Sequence, residues 1–101
     1  MPVEFRTITV PIGETSGTFS SNEETTFSAP VRSADVAIKQ FKLDAVGTAQ
    51  PSDIAQVGVT TVSHDHSTVE FTVKARYTTG SGGRFTGQVD VLVIAETGPP
   101  N

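Results

Sequence analysis

Alternation of apolar and polar residues predicts two strands in the stretch from Val69 to Ala95. In its first part every second residue from Val69 to Tyr77 is apolar, and the residues between them are polar. This period of two is typical of a strand with one face in a core and the other in water. Residues 78–83 interrupt the pattern with Thr, Ser and Gly, which favour turns, and a second run begins at Phe85. The stretch therefore predicts a β-hairpin.

The second strand of this predicted hairpin is apolar on both faces near its end. Val91 and Val93 share one face, while Leu92 and Ile94 occupy the other. A strand with two apolar faces is buried on both sides, by its own domain or by a neighbouring chain. We therefore predict that Leu92 and Ile94, together with Phe41, lie in a subunit interface. A place in the core is the alternative.

Elsewhere, shorter alternating runs predict about four further strands and no helix. They begin near Val3, Thr25, Ala34 and Val57. No window places apolar residues at i, i+3, i+4 and i+7 for three turns, as an amphipathic helix requires. Short strands without crossover helices are typical of an antiparallel β-sandwich. We predict a six-stranded antiparallel β-sandwich as a single domain over residues 1–97, followed by a flexible tail at 98–101.

Two of these strands change phase part-way along. The changes predict β-bulges near Arg6–Thr7 and near Lys39–Gln40, and burial of both faces is the alternative for the first. Residues 11–17 predict a turn, residues 21–24 a polar loop and residues 46–53 a further loop.

Composition narrows the classes of function. The net charge is −4, and the seven basic residues are scattered between Arg6 and Arg84, which argues against nucleic-acid or anionic-membrane partners. Because the chain has no cysteine, disulfides and thiolate ligands are excluded. Neither a signal-peptide core after Met1 nor an 18-residue apolar run is present. We expect a soluble chain without membrane insertion, either cytoplasmic or released.

Several pieces of the chain, in order and spacing, resemble the H-type lectins, small six-stranded β-sandwich lectins such as snail agglutinins and discoidin carboxy-terminal domains. The matching pieces are Thr26–Pro30 (TFSAP), Val36–Asp44 (VAIKQFKLD), Val57–Val59, Phe71–Val73 and Val89–Glu96. The resemblance implies a trimer of sandwiches, sometimes stacked as a hexamer, with sites for galactose or N-acetylgalactosamine between protomers. The chain departs from the family at Leu92 and at Thr78-Thr79, where the family carries Trp and Trp-His. It also lacks the family's site arginine in 56–60.

Sugar recognition needs planar polar groups for the hydroxyls and an aromatic or apolar face for the C–H side of the ring. The strand and turn after residue 75 offer these groups, with carboxylate acceptors from the middle of the chain. The predicted sugar-binding residues are Arg76, Tyr77, Thr78, Thr79, Asp53 and Arg84, with Asp44 as a further acceptor. The alternatives are a core-edge position for Tyr77 and a solvated strand face for Arg76.

The segment His64-Asp65-His66 is the one cluster of potential metal ligands. In extended backbone, His64 and His66 project from the same face, which suits Zn²⁺, Ni²⁺ or Cu²⁺. A solvated turn is the alternative, since the sequence offers no obvious third ligand. We find no nucleophile elbow, P-loop or dinucleotide fingerprint, so the sequence predicts no enzyme and no cofactor.

Three hypotheses of function follow. The first is a non-enzymatic glycan-binding module of H-type-lectin-like fold, assembled as a trimer or hexamer. The second is a structural or assembly protein that uses the same trimeric sandwich without a sugar site. The third and weakest is a metal-dependent enzyme centred on His64 and His66.

Overall fold

The computed structural model describes residues 2–46, 52–79 and 84–98, without the side chains of residues 52–54, 61, 78 and 79. The described residues form five strands: β1 (Val3–Thr26), β2 (Val31–Ala45), β3 (Ser52–Asp65), β4 (Thr68–Thr79) and β5 (Arg84–Thr97). They include no helix of the length and apolar character that crossing a membrane requires.

The strands form one antiparallel sheet in the order β2-β5-β1-β4-β3. Its two end strands, β2 and β3, lie next to each other without a hydrogen-bonded ladder between their described residues. The sheet is therefore nearly closed into a barrel, and the predicted all-β antiparallel class is confirmed. The predicted six-stranded sandwich remains a prediction, because the described residues form five strands.

The shape of the sheet depends on a bend in β1. A straight strand of 24 residues is about 80 Å long, whereas the whole protein measures 56 × 18 × 17 Å. The chain bends where a bulge separates Ile12 from Thr15 and where Gly17 adopts a φ of 80°, a left-handed conformation that favours glycine. The far end of β1 returns to its start, so that the Arg6 guanidinium lies 4.9 Å from the ring centroid of Phe27.

The bend divides the pairing into two ladders. Residues 3–16 of β1 pair with β5, which also pairs with β2; we call this the β5 ladder. Residues 17–26 of β1 pair with β4, which also pairs with β3; we call this the β4 ladder.

The predicted hairpin between Val69 and Ala95 is wrong in its pairing. The two strands exist as β4 and β5, but each pairs with β1, on opposite edges of that strand. Tyr77 lies opposite Gly17 and Arg84 lies opposite Ser16, so the chain passes from one ladder to the other between these residues. The hairpin lies one strand earlier, where β3 and β4 pair up to Asp65 and Thr68 around a two-residue turn.

The polar loop predicted at 21–24 is also wrong, and the turn predicted at 11–17 is a bend within a continuous strand, because β1 runs through both segments. Pro11 is compatible with a strand here, since this part of β1 has a ladder partner on one side only. The polar residues of 21–24 are held by pairing with β4, as in the hydrogen bond of 2.8 Å from Thr72 Oγ1 to Asn22 Oδ1. Neighbouring strands thus stabilise what composition assigned to a loop.

One of the two predicted bulges is confirmed. The register between β2 and β5 shifts between Ile38 and Gln40, with Lys39 as the extra residue. The register around Arg6–Thr7 is continuous, so the bulge predicted there is wrong. The conflicting phases of β1 have a simpler cause, because Val3 and Phe5 point outward and are 51% and 58% exposed.

The core lies between the inner faces of the two ladders. β5 contributes Val89, Val91, Val93 and Ala95, all fully buried, and β4 contributes its alternating residues from Val69 to Tyr77. Burying each large apolar side chain stabilises the fold by about 1.5–3 kcal/mol. The described residues have one such core cluster.

The chain continues in ordered contacts past the predicted domain end at residue 97. Gly98, the first residue of the predicted tail, is buried and donates its N–H to the Pro30 carbonyl oxygen at 3.1 Å. Residues 99–101 lie outside the described part, as do 47–51 of the predicted 46–53 loop. Of that loop, Ser52 and Asp53 belong to β3.

Candidate functional site

An open groove of about 660 Å³ lies on the β4 ladder, next to the seam where β2 and β3 meet. Four strands line it: β1 with Thr18, β2 with Phe41, β3 with residues 55–58 and 60, and β4 with residues 74–76. The groove therefore exists because the sheet curls until its two end strands come together.

Strand register places the polar side chains of the groove in rows. Thr18, Arg76 and Gln56 lie opposite one another across β1, β4 and β3. Lys74 lies in the next outward row, opposite Gly58. Residues 74 and 76 point outward together because side chains alternate along a strand. The two rows together place the cationic side chains of Lys74 and Arg76 beside the amide of Gln56 and the hydroxyl of Thr18.

Phe41 supplies the aromatic part of the groove. The bulge at Lys39 shifts the phase of β2, so that Phe41 lies opposite the buried Val89, on the same face of the strand as Ile38. The ring is 52% exposed because β3 does not pair with β2 there. An exposed aromatic face next to planar polar groups matches what a pyranose ring offers.

The structure separates Arg76 from Tyr77, which we expected to act together. Arg76 is exposed, whereas Tyr77 is 8% exposed and its ring stacks on Phe85 with centroids 5.5 Å apart. The predicted role of Tyr77 under a sugar ring is therefore wrong. The reason is the alternation of strand side chains, which sends neighbours to opposite faces.

Arg84, the other predicted arginine, does not line the groove. It begins β5 opposite Ser16, and its Nη1 atom lies 3.5 Å from Oε1 of Glu14. Its exposed ion pair places it on the β5 ladder, outside the site.

The remaining predicted sugar ligands are not brought together by the described residues. Asp53 belongs to β3, and Thr78 and Thr79 to β4, but their side chains lie outside the described part. Asp44 lies in β2, where its Oδ2 atom is 3.5 Å from Nζ of Lys42.

The two histidines lie at the turn between β3 and β4. His64 is the penultimate residue of β3, and His66 lies in the turn with a φ of 51°. The extended backbone on which a shared metal depended therefore ends at Asp65. The side chains of Asp65 and His66 are 93% and 92% exposed, and no described group of three His, Asp or Glu side chains is placed to hold a metal ion.

The three predicted interface residues fall in two places. Leu92 and Ile94 lie half-buried on the outer face of the β5 ladder, where Ile94 pairs with the exposed Phe5. Val3 is exposed on the same face, and we call Val3, Phe5, Leu92 and Ile94 the outer apolar patch. Phe41 lies on β2, an end strand of the same ladder, and lines the groove at the seam.

A second groove of about 540 Å³ lies on the opposite end of the β4 ladder. Its lining includes Glu24 and Glu70, which face each other directly across β1 and β4, and Phe71, which is 2% exposed. This groove has acidic groups and a buried aromatic ring, so it lacks the ring face that a sugar needs.

Two carboxylates have lowered pKa values, and both lie away from the grooves. The pKa of Asp90 is lowered chiefly by the hydrogen bond from Gln40 Nε2 and then by that from Thr9 Oγ1. The pKa of Glu4 is lowered chiefly by the hydrogen bond from Thr97 Oγ1 at 2.9 Å, with help from Ser28 and Arg6. Both carboxylates connect strands and therefore have a structural role.

Sequence reasoning missed Gln56, Lys74 and Thr18 as groove residues. The alternation that predicted β4 already placed Lys74 beside Arg76 on the outer face. Thr18 on β1 and Gln56 on β3 could be assigned to the groove only once the strand order was known, and the local sequence pattern does not contain that order.

Comparison with protein-family models, with curated proteins and with solved structures finds no match to this chain. The likeness to H-type lectins therefore remains a resemblance carried by the sequence pieces alone.

Proposed function

We propose that this protein is a non-enzymatic, lectin-like glycan-binding module and that its sugar site is the groove between Phe41 and Arg76. One observation carries the proposal: a half-exposed aromatic ring shares an open groove with the guanidinium of Arg76 and the amide of Gln56. The ring offers an apolar face to the C–H side of a pyranose, and the planar groups pair with its hydroxyls.

The H-type-lectin-like sandwich gains support from the bend in β1. Counting residues 3–16 and 17–26 as separate segments gives six pairing segments in two ladders of three. This count agrees with the six strands of the family that the sequence resembles. The same resemblance implies galactose-type sugars as ligands.

Assembly into a trimer or hexamer is the second part of the proposal. A shallow site of this kind binds a single sugar weakly, so useful affinity comes from several sites on one oligomer. The outer apolar patch gives the surface for assembly, since Phe5 and Val3 are more than half exposed beside Ile94.

Calorimetry tests the sugar site. We expect millimolar binding of galactose and N-acetylgalactosamine per site, and tighter apparent binding to a glycan-coated surface. Phe41→Ala and Arg76→Ala each weaken binding about tenfold or more, whereas Phe5→Ala, which removes a similarly exposed phenylalanine from the outer apolar patch, leaves the affinity of each site unchanged. Equal effects of Phe41→Ala and Phe5→Ala would place the site elsewhere.

The outer apolar patch favours one alternative, a structural or assembly protein without a sugar site. Self-association through this patch needs no ligand. Light scattering decides on assembly: we expect a mass that is a multiple of 10.6 kDa, and Leu92→Ala shifts it toward the monomer. Assembly without binding to any glycan on an array favours the alternative, and a monomer at micromolar concentration contradicts the assembly in both.

A further inference from the structure

The charge of the groove differs from that of the protein as a whole. The chain has a net charge of −4, yet Lys74 and Arg76 are the charged side chains among the described lining residues of the groove. The carboxylate of Glu70 is four residues from Lys74 on the same strand face, about 13 Å away along β4. An otherwise anionic protein thus concentrates positive charge at its proposed sugar site.

The positive charge in the groove is not neutralised within the described part of the chain. The ion pairs found there join Arg6 to Glu4, Lys42 to Asp44, His66 to Asp65 and Arg84 to Glu14. None of them involves Lys74 or Arg76. Two cations side by side repel each other, and an anion bound between them offsets this repulsion because it attracts both.

Register also leaves space for an anion beside these cations. Lys74 and Arg76 are two residues apart on one strand face, about 7 Å along β4. Gly58 lies opposite Lys74, and no atom lies within 4 Å of the position that a Cβ would occupy there. The guanidinium of Arg76 has the planar fork that binds a carboxylate through two parallel hydrogen bonds.

We infer that the groove selects acidic saccharides, whose pyranose ring carries a carboxylate, over their neutral counterparts. In this arrangement Arg76 binds the carboxylate, Lys74 adds a second positive charge, and Gln56 and Thr18 bind hydroxyls while Phe41 packs against the ring. The inference rests on the proposed function of the groove and adds the chemical class of its ligand. Galacturonate, a galactose-type ring that bears a carboxylate at C6, has both the ring type of the proposed function and the carboxylate that the cations require.

The test compares two ligands that differ only in that carboxylate. Calorimetry with the methyl glycosides of galacturonate and galactose is expected to give about tenfold tighter binding of the acid, equivalent to about 1.4 kcal/mol. The preference shrinks in about 1 M salt, where the Debye length is about 3 Å. Arg76→Gln removes most of the preference for the acidic glycoside, and Lys74→Gln removes part of it. Lys39→Gln, which removes one positive charge from the bulge of β2, retains the preference.

Each contrary result identifies which statement fails. Equal or tighter binding of the neutral glycoside, with no effect of Lys74→Gln, overturns the acidic preference and leaves glycan binding intact. Binding of inorganic sulfate or acetate as tightly as galacturonate shows a simple anion site and also overturns it. Failure of every saccharide to bind overturns both the preference and the proposed function.

Discussion

The β5 ladder and the β4 ladder have inner faces of the same kind and outer faces that differ in their apolar content. Both inner faces are built from alternating Val, Ala and aromatic residues that are nearly inaccessible to solvent. The outer face of the β5 ladder carries the outer apolar patch, with Asp35 and Glu96 in the same rows, whereas that of the β4 ladder carries Glu70, Lys74 and Arg76. The inner faces form the core of the fold, and the two outer faces offer different surfaces to partners and ligands.

The difference between the two outer faces indicates which surface suits assembly and which suits ligand binding. An apolar outer face suits contact with another copy of the chain, because water is excluded from both surfaces. A charged outer face remains in water and offers donors to a polar ligand. The largest losses of stability should therefore come from changes on the inner faces, and changes at the outer apolar patch or the groove should alter assembly or binding.

The largest expected effect comes from breaking the inner face at Phe85. Its side chain is fully buried and stacks on Tyr77, so Phe85→Ala leaves a cavity and should lower the free energy of unfolding by about 3–5 kcal/mol. Phe41→Ala deletes the same group at a half-exposed site and should cost less than about 1 kcal/mol. Urea denaturation followed by circular dichroism measures both. Similar losses for the two variants would contradict the division between core and groove.

A second effect distinguishes a glycine on β5, the central strand of the β5 ladder, from a glycine on β3, the end strand of the β4 ladder. A Cβ added at Gly87 of β5 would overlap the backbone carbonyl of Lys42 on β2. Gly87→Ala should therefore force β2 away from β5 and destabilise the protein by about 1–3 kcal/mol. Gly58→Ala on β3 meets no atom within 4 Å and should change stability by less than about 1 kcal/mol. The same urea titrations compare them, and an equal cost for both would show that the close approach at Gly87 is relaxed in solution.

The strand faces were predictable from sequence, but the pairing was not. Period-two alternation identified β4 and β5, and the phase change in β2 located its bulge at Lys39. The same alternation contains no information about which strand lies beside which. The Gly- and Ser-rich segment after β4 therefore predicted a hairpin, although both flanking strands pair with β1.

The course of β1 was the least predictable feature, because distant residues stabilise it. Residues 21–24 are polar and predict a loop by composition, yet β4 pairs with every one of them. For the site, Arg76 was identified and Tyr77 was misplaced. The error was avoidable, since period-two alternation cannot put neighbours 76 and 77 on one face.

Acid should weaken the β5 ladder through Asp90. Its lowered pKa, due chiefly to Gln40 and then to Thr9, means that the unfolded state takes up a proton at a higher pH than the folded state. The stabilisation is complete above the ordinary aspartate pKa of about 4. It is lost as the pH falls through the lower folded-state pKa, and Glu4 adds a loss of the same sign. Urea midpoints measured between neutral and acidic pH should therefore fall toward acid.

Asp90→Asn tests which carboxylate causes this fall. The variant cannot gain stability by ionising at this position, so its urea midpoint should depend less steeply on pH than that of the wild type. Asp65→Asn removes a carboxylate from the exposed end of β3 on the other ladder and serves as the control. If Asp90→Asn and Asp65→Asn showed the same pH dependence, the interstrand hydrogen bonds of Asp90 would not explain the acid sensitivity.

The smallest effect sharpens the comparison of the outer faces. Glu24 and Glu70 lie directly opposite each other on β1 and β4, and like charges in that position are destabilising. Glu70→Gln should therefore raise the free energy of unfolding by about 0.2–1 kcal/mol. The gain should disappear in about 1 M salt, where screening reduces the Debye length to about 3 Å. Glu96→Gln on β5 is the matched control, because Glu96 faces Val3 and Ser33 and has no carboxylate opposite it. A gain for Glu96→Gln equal to that for Glu70→Gln would trace the effect to the net charge of the protein instead of to the facing pair.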